Sequence, residues 1–187
     1  ADELSHNFAY LLLKKRDIKE VDPFHFNQAV VFNHYVAASF AAERSQSLFT
    51  KHEILTAAIT NGMPSIVAAF LKSDPKYAKR FPNSDSDLYT AAINKRDNVV
   101  CCLLDFPVDV NQCSPAHVLA KEGKLELLKK FFAREDFQPY LKNKEGLTLL
   151  NCGIMSGDMD VVKYIFEKCP EVDRKDNLGH TPFHKAI

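Results

Sequence analysis

A turn residue followed by apolar pairs at fixed spacing recurs along this chain. Gly157 precedes Val161, Val162, Ile165 and Phe166; Gly123 precedes Leu127, Leu128, Phe131 and Phe132; Gly62 precedes Ile66, Val67, Phe70 and Leu71. The pairs begin four and eight residues after each glycine, the spacing of one face of an α-helix. Val99, Val100, Leu103 and Leu104 repeat the stripe, with Lys95 where the glycine should be. Each stripe predicts an outer helix. The stretch before each turn predicts an inner, antiparallel partner, so that the second unit pairs a helix over 87–95 with one over 98–105. Small residues at Ala57, Ala58, Ala91, Ala92, Ala120 and Ala186 belong to the inner helices, where neighbouring units approach closely. Thr50-Lys51-His52-Glu53 reads as a capping box for the first inner helix. Pro64 falls in the first turn of the next helix, where its missing N–H costs nothing.

The turn residues are separated by 33, 28 and 34 residues. The short interval implies a trimmed connection, since residues 106–111 run directly into Ser114. The register of the second unit stays open by one residue: Thr56-Ala57-Ala58-Ile59 and Thr90-Ala91-Ala92-Ile93 look alike but sit one step apart. The run Gly179, Thr181, Pro182, Phe183, His184, Ala186 resembles the opening of an ankyrin repeat, Gly-x-Thr-Pro-Leu-His-x-Ala-Ala. Weaker copies lie at Gly146 with Thr148-Leu149-Leu150-Asn151, and at Ser114-Pro115-Ala116-His117 with Ala120. The resemblance implies an all-α fold, an ankyrin-type helical solenoid of four helix pairs plus a truncated fifth. The units would cover about residues 50–82, 83–110, 111–142, 143–175 and 176–187.

Residues 1–49 follow a different pattern. Residues 3–15 are apolar at Leu4, Phe8, Leu11 and Leu12, and Asp22-Pro23 starts a helix over 24–43, roughly 30 Å long and long for an ankyrin helix. This segment is either a helical extension that covers the apolar face of the first repeat or a degenerate repeat.

Composition narrows the classes. Hydrophobic residues make up 46% and charged residues 26% of the 187, as in ordinary globular proteins. Lys plus Arg and Asp plus Glu both number 24, so the basic excess of a nucleic-acid binder is missing. The longest apolar run, residues 99–104, is far below the roughly 20 residues needed to cross a bilayer, and no membrane insertion is expected. The chain opens without a signal-peptide pattern or an initiator Met, which reads as an excised or processed piece. Its five cysteines show no Cys-x-x-Cys spacing, which fits free thiols in a reducing, intracellular compartment. Of these, Cys169 is expected to be the most exposed, and at least one of Cys101 and Cys102 to face inward as a small hydrophobe. The fourteen Phe read as core filling, apart from Phe24 and Phe26 flanking His25.

No P-loop, Gly-x-Gly-x-x-Gly, His-Glu-x-x-His, Gly-x-Ser-x-Gly or EF-hand pattern is present. No catalytic residue, metal or cofactor is therefore expected. His117 and His184, with Cys113 or Cys152, are the residues a catalytic or metal reading would use. The ankyrin resemblance implies structural roles instead. The histidine bonds backbone at the junction with the next repeat, and the Ser or Thr hydroxyl caps the helix start. Ser114 with His117, and Thr181 with His184, take these positions. Thr148 is matched with Asn151, and Tyr89 and Thr56 stand in the histidine's place upstream.

The resemblance also implies the function, binding another protein through hairpin tips and the groove of the inner helices. The tip positions are Lys142, Lys144, Glu145 and Leu147, then Lys175, Asn177, Leu178 and His180. Along the groove come Thr60 and Asn61, Ile93 and Asn94, Lys121 and Glu122, and Met155 and Ser156. Leu178 and Met155 are the apolar anchors, and Tyr140, after Pro139, either joins them or folds onto its own repeat. A larger enzyme with its catalytic part outside this chain is an alternative; an ankyrin-bearing effector of an intracellular bacterium is another. A stack ending at Ile187 would leave the fourth unit partly uncovered, to be met by further residues, a partner or a second copy. One added repeat is then expected to raise the melting temperature.

Overall fold

The turns inside the helix pairs share one hydrogen-bond plan. In a computed structural model of the chain, which describes residues 55–73, 87–112, 114–170 and 172–185, three successive amides bond back onto the preceding helix. Asn94 N–H donates to the Thr90 carbonyl (3.2 Å), Lys95 to Ala92 (3.0 Å) and Arg96 to Ala91 (2.9 Å). Glu122, Gly123 and Lys124 repeat this onto Val118, Ala120 and Leu119, and Asn61, Gly62 and Met63 onto Ala57, Ile59 and Ala58. The middle residue must adopt the left-handed conformation: Gly62, Gly123 and Gly157 have φ of 73°, 71° and 73°, and Lys95 has φ 56°. A residue with a Cβ strains there by about 1–2 kcal/mol, so Lys95 keeps the repeat geometry at a local cost.

The same bonds decide the register. The Asn61 and Asn94 side chains each donate to the carbonyl four residues back, Ala57 and Thr90, at 2.8 Å. Residues 61 and 94 are thus equivalent, and Thr56 corresponds to Tyr89 rather than to Thr90. The resemblance between the two Thr-Ala-Ala-Ile runs is one residue out of step with the fold.

The chain forms two units, residues 1–80 and 81–187. In the first, residues 55–60 are helical and lead through the Gly62 turn to α1 (Pro64–Ser73), which opens at the expected proline. Leu55, Ile59, Ile66 and Leu71 are fully buried there. Residues 1–49, the 50–53 capping box, Cys113 and Ala186 lie outside the described residues.

In the second unit, α2 (Asp87–Ile93) pairs with α3 (Asp97–Leu104), α4 (Pro115–Lys121) with α5 (Leu125–Phe132), and α6 (Leu149–Ser156) with α7 (Met159–Lys168); α8 (Pro182–Lys185) follows. The inner helices α2, α4, α6 and α8 pack in succession, and α3, α5 and α7 form a second row behind them. The stripe residues Val99, Val100, Leu103, Leu127, Leu128, Phe131, Val161 and Ile165 fill the space between, each contributing ~1.5–3 kcal/mol by leaving water. Phe166 departs from the stripe and is exposed. Among the described residues there is no strand, and no helix is long and apolar enough to cross a membrane.

Candidate functional site

The tips between units are built from a short polar turn repeated at a 33-residue offset. The Asn143 side-chain oxygen accepts from the Glu145 and Leu147 amides at 3.0 and 2.9 Å, while Asn143 N–H donates to the Leu147 carbonyl. Asp176 does the same in the next tip, accepting from the Leu178 and His180 amides at 2.9 and 2.8 Å. The Asp176 carboxylate is buried and is held by these amides, with the His180 ring nitrogen 3.6 Å from its other oxygen. Within each turn a glycine closes the bend, Gly146 at φ 76° and Gly179 at φ 81°.

Successive tips are also laced to one another. The Lys142 ammonium donates to the Lys175 carbonyl at 2.7 Å, Arg174 to the Tyr140 carbonyl at 2.8 Å, and the Asn177 amide to the Lys144 carbonyl at 3.4 Å. One step earlier, the Asn111 side chain donates to the Asp136 carbonyl and accepts from the Gln138 amide, both at 2.8 Å. Arg134 spans the same junction, with its guanidinium on the Leu104, Phe106 and Val108 carbonyls and on Asp136. These bonds hold the tips in place before any partner arrives, which lowers the ordering cost of binding.

On this scaffold the candidate tip residues divide. Lys142, Lys144, Glu145, Lys175 and Asn177 are exposed, and His180 is half-buried. Leu178 is 77% exposed although its backbone is fixed. Leu147 is the correction. It is only 6% exposed, because the Asn143 turn closes over it and directs its side chain under the loop. Tyr140 does not fold onto its own repeat and is 48% exposed. Phe137 takes that inward place, edge-on to Phe131 and Phe132 with ring centroids 5.5 and 5.2 Å apart.

Along the inner helices, Ile93, Asn94, Lys121, Glu122 and Met155 are exposed, while Thr60 and Ser156 are half-buried. Ser156 is held at home by its hydroxyl, which donates to the Gly153 carbonyl at 2.6 Å. Glu122 pairs with Lys95 at 2.8 Å, and that ammonium holds the carboxyl below its ordinary value. A cavity of about 380 Å³ lies between α2, α4 and the 143–147 turn, with Ile93, Val118, His117 and Cys152 in its walls. Burial, with Glu145 adding to it, pushes the Cys152 thiol up to about 12. It therefore stays protonated and unreactive.

The helix-start residues behave unequally. Thr148 is an extended-backbone cap whose hydroxyl accepts from the Asn151 amide at 3.2 Å; the same hydroxyl donates to the Asn151 side-chain oxygen. Ser114 does not cap α4. Its backbone is left-handed (φ 55°) rather than extended, and its side chain makes no cap bond. His117 is buried, with the backbone of Leu141 and Leu147 facing its ring and favouring protonation, though neither forms a hydrogen bond of ordinary geometry with it. Desolvation outweighs that backbone and drives the imidazole down to about 4. In the last motif Thr181 and His184 bond each other instead, hydroxyl to Nδ1 at 2.8 Å, and His184 is exposed. Cys169 is a further correction. It is buried as the C-cap of α7, its amide donating to the Ile165 carbonyl, so Cys101 and Cys102, both half-buried, are the more accessible thiols.

Arg134, Asn111 and the Asn143–Asp176 pair escaped the sequence reading. The last had a visible signal, an Asn or Asp three residues before each tip glycine at the repeat offset. Nothing local marks Asn111 or the carbonyl partners of Arg134, which lie 25 to 30 residues away. Among the described residues no three His, Cys, Asp or Glu side chains are grouped to hold a metal.

Two rows of short helices joined by laced tips define a helical-repeat protein, in which each unit contacts only its neighbours. Residues 116–187 match a family model of ankyrin repeats (3 copies). The match supports an ankyrin repeat assignment for these residues. Ankyrin repeats are in general protein–protein interaction modules and typically non-catalytic.

Proposed function

We infer that this chain is a protein–protein interaction module that engages its partner through the tips and the inner-helix groove. The tip contacts are Lys142, Lys144, Glu145, Lys175, Asn177, Leu178 and His180, with Tyr140 at their foot. The groove contacts are Asn94, Lys121, Glu122, Met155 and Ser156; Asn61 holds the equivalent position in the unit of residues 1–80. In this reading residues 50–82, 83–110, 111–142 and 143–175 are successive repeats, and 1–49 an added helical segment.

One observation carries the reading. Leu178 is 77% exposed on a backbone pinned by the buried Asp176 carboxylate. An apolar side chain held out in water on an ordered turn gains nothing for the fold and suits an interface anchor. Met155, 43% exposed, supplies an adaptable apolar contact in the groove.

The test is capture of binding proteins from a cell lysate on the full chain, followed by titration of a recovered partner against the Leu178→Asp, Met155→Asp double variant. Affinity is expected to fall by at least about tenfold, the loss of two anchors of ~1 kcal/mol or more each. An unchanged affinity would sink the assignment of these surfaces.

A further inference from the structure

The cavity of about 380 Å³ between α2, α4 and the 143–147 turn lies within the second unit. Its size falls in the ~300–1,000 Å³ range of pockets that hold organic groups, and its chemistry changes with depth. At the mouth stand Lys121 and Lys144 against Glu122 and Glu145, all exposed, so bases and acids balance and neither sign prevails. Ile93, 53% exposed, brings an apolar surface to the same rim. Deeper walls are made by Val118 and Leu147, with His117 6% exposed and Cys152 2% exposed. Both of these titratable groups are neutral. Burial drives the imidazole down to about 4; burial, with Glu145 adding to it, drives the thiol up to about 12. The same loss of water suppresses a cation and an anion alike, and a charged guest would meet the same penalty. The interior is nonetheless not purely apolar. Neither ring nitrogen of His117 has a hydrogen-bond partner of ordinary geometry, although the backbone of Leu141 and Leu147 faces the ring. A buried polar group left unpaired is costly, and a guest that bonds it recovers that cost.

We propose that this cavity is a pocket for one tyrosine side chain of a partner protein, its ring against Ile93, Val118 and Leu147 and its hydroxyl on the His117 imidazole. The inference rests on the interaction-module reading and names the anchor that the inner-helix groove takes. Three properties of the walls select this guest. A neutral interior rejects Asp, Glu, Lys and Arg. Apolar walls disfavour short or amide side chains, which bury little apolar area. The unpaired imidazole disfavours Phe, Leu and Ile, which leave it unbonded. Tyr and Trp combine an apolar body with a polar tip. Of these two, a phenol hydroxyl both donates and accepts, so it pairs with His117 whichever nitrogen carries the proton, whereas an indole only donates.

The experiment is titration of the isotopically labelled full chain with p-cresol, the side chain of tyrosine, followed by NMR near neutral pH. The methyl resonances of Ile93, Val118 and Leu147 and the ring resonances of His117 are expected to shift together. Toluene, which lacks the hydroxyl, should bind about fivefold more weakly. The same ring carrying a carboxylate or an ammonium group should bind at least about tenfold more weakly. Val118→Phe, which fills the cavity, should abolish the shifts, and Ile93→Asp should weaken p-cresol about threefold or more. If Val118→Phe melts below the parent, Ile93→Asp, at the exposed rim, decides. A partner recovered by lysate capture should bind Val118→Phe at least about tenfold more weakly. Absence of shifts, toluene or indole binding as tightly as p-cresol, charged analogues binding equally, or shifts that survive both variants would each overturn the proposal. A partner indifferent to Val118→Phe but lost by the Leu178→Asp, Met155→Asp variant would overturn it while leaving the module reading intact. A capture that recovers no partner would remove the module reading, and the partner tyrosine with it.

Discussion

Acid should loosen this protein through the buried His117, over a pH window that its own shift sets. His117 sits under the 141–147 loop, and loss of water holds its imidazole down to about 4 against an ordinary 6.5. The backbone of Leu141 and Leu147 opposes that shift without overcoming it. Above pH 6.5 the ring is neutral in folded and unfolded chains alike, so it makes stability no function of pH. Below 6.5 the unfolded chain takes up the proton and the folded one does not. Stability is therefore present above the unfolded value and is lost progressively as pH falls toward about 4. The full difference, about 2.5 units at 1.36 kcal/mol each, comes to about 3 kcal/mol, of which roughly 2 is lost by about pH 5. The assay is urea unfolding of the full chain and of His117→Asn, the residue that Asn151 supplies in the next repeat, at several values between about pH 7 and pH 5. The variant starts less stable, so the quantity compared is the slope. The parent is expected to lose ~2 kcal/mol more than the variant across this window. Parallel curves would refute the claim that His117 is buried neutral, and would assign any acid sensitivity to the other histidines.

Two further predictions probe the tips. Gly146→Ala and Gly157→Ala both force alanine into positive φ, at about 1–2 kcal/mol each, but a Cβ at 157 meets nothing within 4 Å. At 146 it falls 2.7 Å from the Asn177 backbone nitrogen and 2.0 Å from its side-chain oxygen. Gly146→Ala should thus lose roughly a further 1–3 kcal/mol in urea unfolding and also weaken partner binding by displacing Asn177 and Leu178; equal losses would contradict the lacing of the tips. Arg134→Ala should cost about 2–4 kcal/mol by stripping the Leu104, Phe106 and Val108 carbonyls of a charged donor. Arg134→Lys should recover less than half, because an ammonium cannot match the planar fork. Full rescue by lysine in a thermal melt would mean that only charge matters there.

The run from Gly179 to Ala186 carried the ankyrin resemblance, and periodicity determined the helix pairs and the turn positions. Those features rest on neighbours three and four residues apart, and every stripe from Ile66 to Ile165 records them directly. The tip residues Lys142 and Lys175, 33 residues apart, were legible only through that resemblance. What tertiary structure decided was the direction and partner of individual side chains. Leu147 reads as a tip residue and is buried, because a turn held by Asn143 folds over it. Ser114 has the composition of a cap but a left-handed backbone that cannot present its hydroxyl to the helix. Cys169 sits in a loop by sequence and under the end of α7 in space. Lys95 stands at a turn that the spacing marks, but only its φ shows that it takes the glycine's left-handed backbone, and the matching turn bonds settle a register that two similar alanine runs left open. In each case the deciding partner lies on another element or depends on a backbone angle, and neither is encoded in the spacing of apolar residues along a single helix.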